Sequence, residues 1–322
     1  MKEAQKSLFE AAERGDVETV RELLIVPKIN VNEKNEEGKS PLDLACRFGK
    51  TDVVKLLMKD RRVNMNQENL FGASPFLVSC AQGHVEVAKL LMEDDRVLIN
   101  QTQREQASPF YIACQQGHTE MVKFLLTSPL IDVNWPMNEG ATPFIIACEN
   151  GYTEIVKLLL NDSRIDVQCK RYDKVTPFYL ACQNGHLEVI QELLKDERVE
   201  VTPKNSKLAC SKGQLEIVKL LLISGREIVQ GESWNEWNEM ALEKATQYST
   251  APKMSWENSE EEASIRRDNC KKIVELIGKY TKDQEAVKFE IKKELGIIQS
   301  TASELLALIV LLNDEYMDFK KE

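Results

Sequence analysis

The sequence has 322 residues and a formal net charge of −10, from 52 acidic and 42 basic residues. Nucleic acids and anionic lipid surfaces attract clustered basic charge, so this acidic balance makes both poor candidate partners. The longest apolar run, residues 305–312, is far shorter than the roughly 20 residues of a membrane-spanning helix, and the N-terminus lacks the apolar core of a signal peptide. We therefore expect a cytoplasmic protein without membrane insertion.

A spacing of 34 residues organises the chain. It recurs in three series of residues: Pro41, Pro75, Pro109, Pro143 and Pro177; Cys46, Cys80, Cys114, Cys148 and Cys182; and Gly15, Gly49, Gly83, Gly117, Gly151 and Gly185. A constant period of this length indicates an architecture of stacked repeats.

The cysteines fit this interpretation. Six of the eight share one repeat position, with Cys210 joining the five above. Neighbouring units in a helical stack lie about 8–10 Å apart, which is too far for a disulfide or a shared metal ion. We expect buried free thiols, which agree with a reducing compartment.

Each unit predicts two short helices and an extended segment. In the fifth unit, Thr142 and Pro143 are good first residues of a helix, and Gly151 suits its left-handed end. A second helix follows, with an apolar stripe over residues 155–160. The polar segment 162–175 then predicts an extended finger that leads to the next unit.

The pattern TPF, AC, G, EIVKLLL and DV in one unit resembles the ankyrin repeat, over roughly residues 4–280. The resemblance implies an all-α solenoid of stacked antiparallel helix pairs, with finger loops and a concave groove lined by fingers and first helices. These units have 34 residues, whereas ankyrin repeats usually have about 33. The close similarity of units three to six also resembles the expanded ankyrin families of single-celled eukaryotes.

In chain order, residues 1–231 are predicted to hold seven repeats. The first is a capping repeat, and the finger between the sixth and seventh is shortened. Finger tips are expected around residues 35–39, 69–73, 103–107, 137–141 and 171–175. Two tips carry Gln106 and Lys174 where the others have glycine. Either these residues adopt a left-handed turn, at a cost of about 1 kcal/mol, or the turn takes another geometry.

The C-terminal third departs from the pattern. Residues 232–281 predict a divergent eighth repeat with an inserted loop at about 249–263, which is too polar to bury a core and therefore mobile. Residues 282–322 predict two C-terminal helices, one over 283–295 and one apolar on all sides from residue 301. They either cap the solenoid or leave residues 305–312 partly free for a partner or a second copy, and we favour the cap.

Catalytic chemistry is not indicated. His84, His118 and His186 share one repeat position and cannot meet each other, so a structural role is expected. No Cys and His pair has the spacing of a nucleophile or a metal site, and there is no phosphate-binding glycine loop. We expect no enzyme, no cofactor and no metal.

Three sets of residues are candidate contacts with a protein partner. Where the ankyrin pattern has histidine, this chain has mostly apolar or aromatic residues, which form either an internal ladder or an apolar groove floor: Leu77, Tyr111, Ile145 and Tyr179. Large apolar groups on the fingers are Phe71, Trp135 and Tyr172. Amides near the ends of first helices either bind an extended peptide or are solvated: Gln82, Gln115, Gln116, Asn150 and Asn184.

The sequence therefore predicts a monomeric, non-enzymatic scaffold that binds an unidentified protein through the groove and fingers of repeats two to six. The alternative is a regulatory inhibitor or target-recognition adaptor that docks a second protein through its C-terminal helices. Self-association through residues 305–312 is a third, weaker interpretation. Ser259, followed by three glutamates, lies either in a solvated loop or at a phosphorylation site.

Overall fold

The structure, a computed structural model, describes residues 2–224 and 234–296. It divides into two compact units, Met1–Glu200 and Val201–Glu322. The boundary falls at the finger that the sequence predicts to be shortened. All regular secondary structure in the described residues is helical, which confirms the all-α fold class.

The first unit consists of six helix pairs. In chain order they are α1 Lys2–Arg14 and α2 Val17–Leu24, α3 Pro41–Arg47 and α4 Thr51–Lys59, α5 Pro75–Ala81 and α6 Val85–Met92, α7 Pro109–Gln115 and α8 Thr119–Leu126, α9 Pro143–Glu149 and α10 Thr153–Leu160, and α11 Pro177–Asn184 and α12 Leu187–Lys195. First helices pack against neighbouring first helices, and second helices against second helices.

The local sequence accounts for the first helix of each pair after the N-terminal one, that is for α3, α5, α7, α9 and α11. Its N-cap hydroxyl, as in Ser108, accepts a hydrogen bond from the N–H three residues later, here Tyr111 at 3.1 Å. Proline follows at the first helical position, where the missing N–H costs nothing. The glycine after the helix, as in Gly117 with φ of 74°, takes the left-handed conformation that reverses the chain.

The core of the first unit lies between the helix pairs. Its largest buried side chains are Tyr111 and four phenylalanines at one repeat position, Phe76, Phe110, Phe144 and Phe178. The eight cysteines form no disulfide, and all are buried. Burial raises the pKa of thiols in the first helices, such as Cys114 and Cys148, well above the ordinary value. They act as small apolar groups where helices approach closely.

A ladder of asparagines joins successive units at the bases of the fingers. Asn66, for example, donates from Nδ2 to the carbonyl oxygen of Arg96 at 2.6 Å and accepts from the N–H of Leu98 at 2.8 Å. The same paired contacts are made by Asn32, Asn100 and Asn134. Each finger is therefore fixed to the next by side-chain hydrogen bonds to the backbone.

The finger tips are tight turns with a left-handed residue. Gly38, Gly72 and Gly140 occupy it in three tips, and Gln106 and Lys174 take the same conformation with φ of 60° and 65°. The structure thus selects the left-handed alternative at both non-glycine positions. Each carries the steric cost of a Cβ in this region, of order 1 kcal/mol.

The second unit contains five described helices: α13 Pro203–Ser211, α14 Leu215–Ser224, α15 Trp234–Ser249, α16 Glu260–Tyr280 and α17 Gln284–Glu294. α16 begins earlier than the sequence predicts, because Ser259 accepts from the N–H of Glu262 and acidic residues fill the first turn. The predicted loop at 249–263 is accordingly shorter, with α15 ending at Ser249.

This loop makes buried contacts that its polar composition does not predict. The guanidinium of Arg266 is buried beneath it and donates to the carbonyl oxygens of Tyr248, Ala251 and Pro252 and to the carboxylate of Glu257. Composition failed here because one buried cation can bind several loop carbonyls without any apolar core.

The first predicted C-terminal helix is α17, which packs against α14 and α16. Its Val287 and Ile291 are buried, and Glu294 forms an ion pair with Lys219 of α14 at 2.5 Å. The predicted helix from residue 301 lies outside the described residues. Within the described ranges, no helix is long and apolar enough to cross a membrane.

Candidate protein-binding surface

The repeated histidines hold neighbouring units together. The ring of His84 lies over Gly49, where an added Cβ would come within 2.8 Å of Nδ1. Its Nε2 is 2.9 Å from the carbonyl oxygen of Arg47, at the end of the preceding first helix. His118 and His186 repeat this contact on Ala81 and Glu149. Their imidazoles therefore have a structural role.

The residues that replace the histidine of the ankyrin pattern lie mostly inside the unit. Leu77, Tyr111 and Ile145 are buried, and Tyr179 is half-buried. The hydroxyl of Tyr111 donates to Sδ of Met137 in the next finger at 2.9 Å, and burial raises its pKa to about 12. The three buried side chains therefore offer almost no surface to a partner, which favours the internal ladder over the groove floor.

Asp43 occupies the same position in the second unit and is also buried. Its Oδ1 accepts a hydrogen bond from Nδ2 of Asn69 at 3.1 Å, whereas Oδ2 has no hydrogen-bond partner. Burial raises the pKa of this carboxyl, against the smaller opposing effect of the Asn69 hydrogen bond. Asp43 is thus a buried, only partly hydrogen-bonded polar residue at a position that is apolar or aromatic in the next four units.

The amides at the ends of first helices divide into two groups. Asn150 and Asn184 donate to the carbonyl oxygens of Gln115 and Glu149 in the preceding units, at 3.1 and 2.7 Å. The side chains of Gln82 and Gln116 are exposed, and Gln115 is half-buried. The asparagines therefore join neighbouring units, and the side chains of the two exposed glutamines face solvent.

The finger tips form an aligned row. Backbone hydrogen bonds join successive tips, from the N–H of Arg104 to Phe71, of Asn138 to Glu105 and of Tyr172 to Glu139, at 3.1–3.3 Å. A salt bridge from Arg171 to Glu139 joins the last two tips at 3.7 Å, and Arg171 also pairs with Asp173 of its own tip at 3.3 Å. The row presents a continuous edge along the unit.

Large apolar side chains project from this row. Phe71 is 68% exposed, Tyr172 73% and Trp135 41%. The Tyr172 ring rests on Gly140, and Trp135 donates from Nε1 to the carbonyl oxygen of Gln106 at 3.1 Å. Backbone contacts thus hold two of the three rings in place. The structure adds a fourth apolar side chain to the row, the half-exposed Leu70, which contacts Gly38. In the sequence, the only signal for Leu70 is its position next to Phe71.

No group of three or more His, Cys, Asp or Glu side chains that could hold a metal occurs among the residues that the structure describes.

Comparison with known proteins agrees with this geometry. The family model for ankyrin repeats matches three copies, over residues 8–103, 95–171 and 162–232. The chain belongs to the ankyrin-repeat family. The crystal structure of the ankyrin repeat protein EF0377 is similar, with 29% sequence identity and a TM-score of 0.54, over 59% of this chain and 96% of that one. Among curated proteins, none matches this sequence. Ankyrin repeats generally mediate protein–protein interaction, typically without enzymatic activity.

Proposed function

We propose that this ankyrin-repeat protein is a non-enzymatic scaffold that binds a protein partner through the finger tips and concave groove of repeats two to six. The observation that carries the proposal is the aligned row of tips bearing Phe71, Trp135 and Tyr172. Exposed, ordered aromatic side chains are the residues that most often dominate the energy of protein interfaces. We further propose that the protein is monomeric and cytoplasmic.

The groove contributes in two ways under this proposal. Gln82 and Gln116 supply exposed amides that can pair with an extended peptide backbone. Tyr179, half-buried, adds a partly open aromatic surface. The buried Leu77, Tyr111 and Ile145 fix the position of the first helices, so they support the groove without touching the partner.

The test is a triple substitution of the tip aromatics, Phe71→Ala, Trp135→Ala and Tyr172→Ala. Partners captured from the native cell with the wild-type chain are identified, and their affinity is then measured with purified variants. The triple variant should weaken the specific partner by more than about 2 kcal/mol, or roughly 30-fold.

The matched control is Ile25→Ala, which removes an equally exposed apolar side chain beyond the finger row. It should leave the affinity unchanged. Equal binding by the triple variant and the wild type, with both folded by circular dichroism, would refute the finger-row proposal.

The alternative function, docking of a second protein through the C-terminal helices, meets an opposing observation. α17 buries its apolar stripe against α14 and α16, as a capping helix does. Deletion of residues 282–322 distinguishes a capping role of the C-terminal helices from a docking role. Loss of solubility supports the cap, and a soluble protein that loses one specific partner supports the adaptor.

A further inference from the structure

A second surface lies at the C-terminal ends of the second helices, where four units carry an arginine clamp. In each, a guanidinium pairs with the aspartate two residues earlier and donates to the carbonyl oxygen at the end of the preceding second helix. The four clamps are Arg62 with Asp60 and Leu24, Arg96 with Asp94 and Met58, Arg164 with Asp162 and Leu126, and Arg198 with Asp196 and Leu160.

The clamp is missing from the fourth unit. Ser128 stands where the other units have aspartate, and Leu130 stands where they have arginine. Leu130 is 72% exposed, although its backbone is fixed like that of its counterparts by a hydrogen bond from Nδ2 of Asn100 at 2.8 Å. The backbone at this position is therefore held as in the other units, whereas most of the leucine side chain is exposed to solvent.

Leu130 does not stand alone. It lies with Met92, Leu98 and Ile99 around a depression of about 680 Å³. Leu98 is 57% exposed, and Met92 and Ile99 are half-buried. We name these four residues the Leu98–Leu130 patch. The volume is within the roughly 300–1,000 Å³ of sites that enclose ligand groups.

Two acidic residues, Asp94 and Asp95, line the depression, and no lysine or arginine is among its described lining residues. Asp95 is exposed and forms no salt bridge within the described ranges, and the same holds for Asp132, two residues after Leu130. The cation closest in sequence, Arg96, is already engaged by Asp94 at 2.6 Å. An apolar centre beside the unpaired carboxylate of Asp95 favours a ligand that carries apolar groups next to basic ones.

We propose that the Leu98–Leu130 patch docks an amphipathic segment of a protein partner that presents aliphatic side chains flanked by lysine or arginine. The patch lies at the ends of second helices, whereas the groove amides Gln82 and Gln116 lie at the ends of first helices. The two surfaces are separate, so this inference stands whether or not the finger row binds a partner.

The discriminating variant restores the clamp. Ser128→Asp with Leu130→Arg reproduces the residues of the fifth unit, Asp162 and Arg164, and leaves the net charge unchanged. It removes the apolar centre of the patch. Ser128 Oγ accepts from the N–H of Leu130 at 3.3 Å, and aspartate can accept the same bond, as Asp162 does from the N–H of Arg164 at 2.9 Å. The variant should unfold at the same temperature as the wild type or higher.

The probe is a synthetic amphipathic helix made of leucine and lysine, titrated into the labelled full chain by fluorescence anisotropy. The wild type should bind it at least tenfold more tightly than the clamp-restored variant does. Two control peptides, with serine for leucine or glutamate for lysine, should each bind the wild type at least tenfold more weakly.

Three results would overturn the proposal. Equal binding of the leucine–lysine peptide by both proteins would mean that the patch is not its site. Equal binding of the glutamate peptide would remove the role of the acidic residues beside the patch. A concentration-dependent mass of the wild type that the variant abolishes would make a second copy of the chain the occupant.

Discussion

Replacing Arg266 with methionine should destabilise the second unit by about 3–5 kcal/mol, because it leaves a buried carboxylate without its cation. The side chains of Arg266 and Glu257 are only 3% and 5% exposed, and their closest atoms are 2.6 Å apart. The substitution also frees the carbonyl oxygens of Tyr248, Ala251 and Pro252 from their shared donor. Few single changes outside a core remove so many buried contacts.

The charge component can be separated with a second substitution. Glu257→Gln keeps an acceptor for the N–H of Met254, which the carboxylate now holds at 2.5 Å. Adding it to Arg266→Met removes the unpaired charge, and the double variant should recover at least about 1 kcal/mol relative to Arg266→Met. The stability that the double variant recovers measures the cost of the unpaired carboxylate. The stability that stays lost measures the contribution of the hydrogen bonds to the loop carbonyls.

The assay is hydrogen exchange by mass spectrometry across a urea series on the full chain. Peptides from residues 240–296 should lose protection in Arg266→Met, with the largest change in the loop after Ser249. Peptides from residues 41–200 should be unchanged. Lys271→Met on the same helix is the control, because its ion pair with Asp268 is exposed and contributes about 0–1 kcal/mol.

A loss below about 1 kcal/mol in Arg266→Met would refute the reasoning, since an exposed pair would give that value. Loss of protection spread equally over both units would also contradict it. The acid dependence gives an independent check. The Arg266 hydrogen bond lowers the pKa of Glu257, so this contribution is complete above the unfolded value of 4.5 and is lost as pH falls through the folded pKa.

Three further predictions concern the first unit. Because burial raises the pKa of Asp43 above 3.8, the free energy of unfolding should fall as pH rises through the folded pKa and the buried carboxyl ionises. Asp43→Asn should remove this fall, which urea unfolding at acid and neutral pH measures. Gln106→Gly relieves a φ of 60° and should raise the free energy of unfolding by up to about 1 kcal/mol, unless the greater freedom of the unfolded glycine cancels it. His118→Ala removes the 2.9 Å contact with the Ala81 carbonyl oxygen and should cost about 1–2 kcal/mol in thermal unfolding, whereas the exposed Glu120→Gln should cost under about 0.5 kcal/mol.

The candidate site shows where sequence reasoning ends. Phe71, Trp135 and Tyr172 were predicted to project from fingers, and turn residues alone locate those fingers. Whether Tyr111 faces a partner or the interior depends on Met137, which lies 26 residues further along and reaches it only through the next unit. No pattern within one repeat contains that information.

The Leu98–Leu130 patch was missed for a related reason. The sequence contains the signal, because a leucine interrupts a series of arginines at the repeat spacing. The interruption has meaning only once the structure shows that each arginine reaches a carbonyl oxygen in the preceding unit, as Arg96 does at Met58.

The sequence by itself determined the period, the helix pairs and the family, because caps such as Ser108 and left-handed glycines such as Gly117 act over three or four residues and need no distant partner. The tertiary structure alone decided which repeat positions are buried and which are open, and it placed the 250–259 loop on Arg266. The hydrogen bonds of Arg266 and of the arginine clamps join groups that are 9–38 residues apart in the sequence. Only the packing of the helices brings these groups together.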